Sequence, residues 1–217
     1  MNIHIKDPGS AITHFIAMVL AALAATPLIK KAAHMSGSFT AIAVAVFIVS
    51  MILLYAASTI YHTLDISDHV NKMLKKIDHM MIFVLIAGTY TPVCLIVLGN
   101  AVGYRLLALV WFIAIVGIVI NAIWINCPKW FSSMIYIAMG WVCLTAIKSI
   151  IASLTPGAFY WLLAGGIIYT IGGIIYALKL PLFNARFKHF GSHEIFHLFV
   201  MGGSFCHYMV MFRYVAV

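Results

Sequence analysis

His193 and His197, in the run His193-Glu-Ile-Phe-His197, are four residues apart. On a helix of about 3.6 residues per turn they project from one face. Imidazoles one turn apart can reach a common metal ion, and a third from a neighbouring helix completes a facial set. His62, which closes the segment Ser58-Thr-Ile-Tyr-His62, is the candidate for that position. Three histidines plus a water is the donor set of a catalytic zinc, which would bring the water's pKa towards about 7. Asp78 is a carboxylate able to hold such a water and take its proton. Ser58 shares a face with His62, one turn away. It could hydrogen-bond a substrate carbonyl or brace the ligands.

Each residue also has a plainer reading. A histidine at the end of an apolar segment is often an interfacial residue, which applies to His62. Asp78 follows Lys75-Lys76 and, in the first turn of a helix, would complement the helix dipole. The His193/His197 spacing can arise by chance in a chain with ten histidines. Glu194 points about a quarter-turn away from His193 and reads as a first-turn charge. His207 shares the His193 face, but ten residues beyond His197 it lies about 15 Å further along the helix, too far for the same metal. With Ser204 it reads as a polar stripe lining the bundle interior. His4, His34, His69 and His189 fall in polar segments and are expected to be solvated. His14 and His79 are expected to serve packing or the membrane interface.

The elements that must position these groups follow from composition. The 217 residues are 65% apolar and 8% charged, against about 45–50% and about 25% in soluble domains. A soluble globule is excluded, and so is disorder, because polar groups are too few to keep the chain solvated. At roughly 20 apolar residues per crossing, there is room for six to eight spans. Apolar runs and polar breaks predict seven, over 11–29, 39–61, 77–98, 105–125, 132–152, 158–178 and 193–214. The breaks are 30–38, 64–76, Gly99-Asn100, 126–129, 155–157 and 179–192. Pro27 and Pro92 fall near span ends. Gly165-Gly166, Gly172-Gly173 and Gly202-Gly203 lie inside spans, where small residues allow close helix approach. The fold class expected is an all-α seven-transmembrane helix bundle, one membrane domain over residues 1–217.

The formal charge of +8 comes from 13 scattered basic residues without a basic, aromatic-interleaved stripe. It implies loop charges that hold topology, and no nucleic-acid partner. Cys94, Cys127, Cys143 and Cys206 form no Cys-x-x-Cys pair, so a disulfide framework or thiolate zinc site is not indicated. Residues 1–10 lack signal-peptide features, so the first apolar run is expected to be a retained span. Eight basic residues on one side against five on the other place the N-terminus in the cytoplasm and the C-terminus outside. With seven spans, the second ends, and the third and seventh begin, at one membrane face. His62, Asp78, His193 and His197 are thereby brought to the same level, whatever the absolute orientation. Ionisable groups in spans cost about 2.5–3.5 kcal/mol each on insertion scales, so such a gathering calls for a role.

Taken together, Ser58-x-x-x-His62, Asp78 followed by Ala87-Gly-Thr-Tyr-Thr-Pro92, and His193-x-x-x-His197 with His207 resemble the hemolysin III family. That family is related to the progestin and adipoQ receptors. The resemblance covers essentially the whole chain, and the combination is specific where each piece alone is weak. Family members often carry an acidic-and-Asn stretch before Thr-His-Gly. Here Pro8-Gly-Ser-Ala-Ile precedes Thr13-His14 and Phe15 follows, a departure that touches His14 and leaves the zinc set intact. The resemblance implies a seven-helix bundle unrelated to G-protein-coupled receptors. It implies Zn2+ held by His62, His193 and His197, and a water between the metal and Asp78. Related receptors and alkaline ceramidases imply hydrolysis of a lipid amide or ester. Bacterial members are described as cytolytic, pore-forming or active in membrane-lipid homeostasis, which implies a bacterial plasma membrane. The expectation is a zinc-dependent membrane hydrolase of a lipid-like substrate at the cytoplasmic leaflet. The alternative is a non-enzymatic pore-forming hemolysin, or a regulator of membrane lipids, in which zinc ties three helices together.

Overall fold

Inside hydrocarbon every backbone N–H and C=O must find a partner within the protein, and a helix supplies it segment by segment. The computed structural model of this chain describes residues 5–124, 128–178 and 191–217. Among the described residues, seven helical segments are long and apolar enough to cross a bilayer, and no strand occurs. They are α1 (Pro8–Ser36), α2 (Ser38–Thr63), α3 (Asp68–Pro92) with a π-helical turn to Leu98, and α4 (Ala101–Ile123). The fifth joins α5 (Lys129–Gly140) through a 3-10 stretch to α6 (Ile147–Ser153), and is followed by α7 (Pro156–Leu178). The seventh is α8 (Ser192–Val210), ending in a π-helical turn over Met211–Val215. The predicted bundle is therefore the observed fold.

The helices run further through charged residues than hydropathy suggests. Lys30-Lys31, expected in a break, lies inside α1, which reaches Ser36. α3 begins at Asp68, so Lys72, Lys75 and Lys76 are helical rather than in the connection. The reason is that lysine stems lie along apolar surface while their ammonium groups meet helix C-terminal carbonyls. Lys31 Nζ donates to Phe212 O (2.7 Å), and Lys76 Nζ donates to Ala122 O (2.8 Å) near the end of α4. Pro27 also lies inside α1, and Tyr208 Oη donates to Ala24 O (3.4 Å) in the turn it loosens. Of the expected breaks, 125–127 (with Cys127) and 179–190 lie outside the described residues, as do His4 and His189.

Breaks within the third and fifth spans are bridged by specific partners. Gly99 ends the third span with φ +54°, a left-handed conformation suited to glycine, and its N–H reaches Cys94 O (3.2 Å). Asn100 Oδ1 then caps α4 by accepting from Val102 N (2.9 Å) and Gly103 N (3.1 Å). Where the fifth span changes to 3-10 geometry over Trp141–Ala146, the Tyr90 hydroxyl fills the gap. It lies 2.7 Å from Gly140 O and 3.2 Å from Met139 O, and accepts from Cys143 N (3.0 Å). α7 and α8 meet through small residues, as the glycine pairs predict: Gly172 faces Phe199, and Gly203 faces the Tyr169 ring.

Candidate metal centre

The last turn of α2 carries His62, buried with 2% of its surface exposed. The first two turns of α8 carry His193 and His197, the latter equally buried. α8 starts where it does because Glu194 Oε2 accepts from Gly191 N (2.7 Å), so Glu194 is the first-turn charge its position suggests. Donor nitrogens of His62, His193 and His197 all lie within 4.8 Å of one another. The Nε2 atoms of His62 and His193 face each other at 3.1 Å. Three nitrogens bound tetrahedrally at about 2.0–2.1 Å stand roughly 3.3 Å apart, so this arrangement fits a metal ion. The three candidate ligands come from two helices, not three.

The outward edges of the rings are held by the start of the chain. His62 Nδ1 donates to Asp7 Oδ2 at 3.0 Å. Thr13 Oγ1 lies 3.3 Å from His197 Nδ1. That hydroxyl has its own acceptors in Gly9 O and Ser10 O, each at 3.0 Å, so it accepts from the imidazole. Both contacts put the proton on Nδ1 and leave Nε2 to face the cluster, the outer-shell arrangement that sets ring orientation at metal sites. Ser10 Oγ donates to Glu194 Oε1 (2.6 Å), tying the same stretch to the start of α8. His14 stacks on His197 with centroids 3.6 Å apart and planes 8° apart.

These contacts are what sequence reasoning missed. Asp7 reads as a connection charge, and His14 as a packing residue. His14 does pack, but against a candidate ligand, and neither of its buried nitrogens has a hydrogen-bond partner among the described residues. The retained Thr13-His14 pair was the available signal. Asp7 carried none, because its partner is 55 residues away.

Asp78 is buried, and it lies ten residues into α3 rather than in a first turn, too far from the N-terminus to complement the dipole. It is outside the three-histidine set. Ser58, 1% exposed, has no hydrogen-bond partner for its Oγ among the described residues, so it does not brace a histidine. Asp78, Ser58, His14, His193 and His197 all line one cavity of about 380 Å³. From Asp78 it continues past Ile82, Leu85 and Thr89 to Val93, about 22 Å along α3. Its volume is within the roughly 300–1,000 Å³ of small-molecule sites, and its walls are mostly apolar. His79 also lines this cavity, with Nε2 3.2 Å from the Tyr176 hydroxyl.

Seven membrane-length helices among the described residues, with three imidazoles gathered where His193 and His197 line an apolar cavity, define a polytopic membrane protein with a candidate histidine metal site. Comparison with known proteins gives the family. Residues 3–208 match the family described as haemolysin-III related, and the chain belongs to it. It is 39% identical to Hemolysin-3 of Bacillus cereus over 210 residues, covering 97% of this chain and 92% of that protein. It is 38% identical to the Hemolysin-3 homolog of Bacillus subtilis (strain 168), covering 92% of this chain and 89% of the relative. A more distant similarity, 28% over 190 residues, joins it to the adiponectin receptor protein of Drosophila melanogaster, covering 77% of this chain and 42% of the receptor.

Proposed function

We propose that this protein is a zinc-dependent hydrolase of a lipid-like amide or ester, acting as one membrane domain at the cytoplasmic leaflet of a bacterial plasma membrane. The observation that carries the reading is the histidine cluster beside an apolar cavity that also holds the Asp78 carboxyl and the Ser58 hydroxyl. His62, His193 and His197 would hold the zinc, which when bound supplies a Lewis acid and an acidified water. Asp78 would receive the proton from that water, its side chain lying outside the ligand set. The Ser58 hydroxyl, which lies beside Asp78, would donate to a substrate carbonyl oxygen. Apolar walls would align an acyl chain and keep bulk water from the reacting group.

The test is metal content and lipid-product analysis on native protein beside Asp78→Ala and the double variant His193→Ala/His197→Ala. About one zinc per chain is expected in the native protein and in Asp78→Ala, with hydrolysis lost in the latter. Metal content unchanged in the double variant would sink the site. The name of the Bacillus cereus relative, Hemolysin-3, favours a second reading, cytolysis without chemistry. Dye release from protein-containing vesicles that persists in Asp78→Ala would support it over hydrolysis.

A further inference from the structure

The hydrolase reading uses the cavity at Asp78, His193 and His197 and leaves its deeper part without a role. There the hydroxyls of Thr89 and Thr170 are spent on carbonyls of their own helices, Leu85 O and Gly166 O. His207 is not so occupied. It lines the cavity about 15 Å beyond His197 along α8. It is 7% exposed, and its Nδ1 has no hydrogen-bond partner among the described residues. Buried polar atoms without partners are rare in native proteins and ask for an explanation.

The ring is held in place by α7. Tyr169 stacks on it, with centroids 5.4 Å apart and planes 18° apart. Gly165, one turn away on α7, approaches so closely that a Cβ there would lie 2.8 Å from Nε2. Tyr169 also ends a short chain of hydroxyls. Tyr55 Oη donates to Ser204 Oγ (2.7 Å), and Ser204 Oγ shares a second bond with Tyr169 Oη (2.8 Å). Three hydroxyl protons serve two bonds, so one proton is left over. When Ser204 donates to Tyr169, the spare proton is on Tyr169, which lines the cavity beside His207. In that arrangement a spare donor and an imidazole whose Nδ1 has no partner among the described residues flank one stretch of an otherwise greasy passage. A ligand hydroxyl matches both, accepting from the phenol and donating to the ring.

We propose that His207 and Tyr169 form a hydrogen-bonding subsite for a hydroxyl carried partway along a lipid chain, so that mid-chain hydroxylated chains bind in preference to plain ones. This rests on the lipid reading of the cavity given above. The experiment is equilibrium binding to the purified full chain in detergent. The probes are octadecanoic acid and its positional isomers bearing one hydroxyl along the middle of the chain. One isomer is expected to bind about tenfold more tightly than the plain acid, the worth of two hydrogen bonds. Tyr169→Phe, which removes a single oxygen, should abolish that preference and leave plain-acid binding within about twofold. His207→Phe should do the same; if it does not fold, Tyr169→Phe decides alone. A flat profile across isomers, as expected if the subsite holds only water, overturns the subsite and leaves the lipid reading standing. A preference that survives Tyr169→Phe overturns it as well. If neither plain nor hydroxylated acid binds, subsite and lipid reading fall together.

Discussion

Asp7→Ala isolates the contribution of the outer shell to metal binding. The carboxylate holds His62 through a 3.0 Å hydrogen bond to Nδ1, fixing the tautomer whose Nε2 faces His193. Removing such a partner costs 10–100-fold in metal affinity, as an order of magnitude. The pair is unequal in exposure, with the His62 side chain 3% exposed and that of Asp7 44%. Water therefore screens the carboxylate and can replace part of the bond, which puts the expected loss at the lower end. That is about tenfold, or about 1.4 kcal/mol. The backbone contact that docks this segment, Asp7 N to His62 O at 2.9 Å, does not involve the side chain and survives the substitution. Zinc affinity measured by chelator competition on detergent-purified protein reads the effect. Asp68→Asn is the control, because it removes an exposed carboxylate from the first turn of α3 without touching a histidine. Binding by Asp7→Ala within about twofold of native, or an equal loss in the control, would refute the reasoning.

Two further substitutions test how the bundle is held. Tyr90→Phe removes the hydroxyl that bridges Gly140 O and Cys143 N at the break in the fifth span, and should lower stability by about 1–3 kcal/mol in denaturant or thermal unfolding. A native-like unfolding profile would show that the 3-10 stretch satisfies itself. Gly172→Ala places a Cβ 2.6 Å from Phe199 Cβ and should cost about 1–3 kcal/mol by overpacking. Gly166→Ala, on the same helix with nothing within 4 Å, should instead be neutral or stabilise by up to about 1 kcal/mol. Equal effects at the two glycines would mean that close packing of α7 against α8 is not what sets the cost.

Seven helices were legible in the sequence because hydrocarbon thickness sets a length of apolar residues that no soluble element needs. Their ends were not. Lysines that look like breaks can stay helical when a neighbouring helix offers terminal carbonyls, as Phe212 O does for Lys31. Which carbonyl lies within reach is a fact of packing, not of local sequence.

The candidate site divides along the same line. Two local rules brought His62, Asp78, His193 and His197 to one membrane face: helical spacing, which pairs residues four apart, and span parity, which decides which ends meet. Both operate within a segment or by counting segments, so the sequence by itself determined which three histidines would meet. Only the tertiary structure decided that Asp7 would hold His62, that Thr13 and His14 would meet His197 across 184 and 183 positions, and that a cavity would run from there to His207. Such contacts depend on helix rotation and on the few ångströms between neighbouring helices, which are set by side chains packing from both sides. No periodicity in one strand of sequence carries that information.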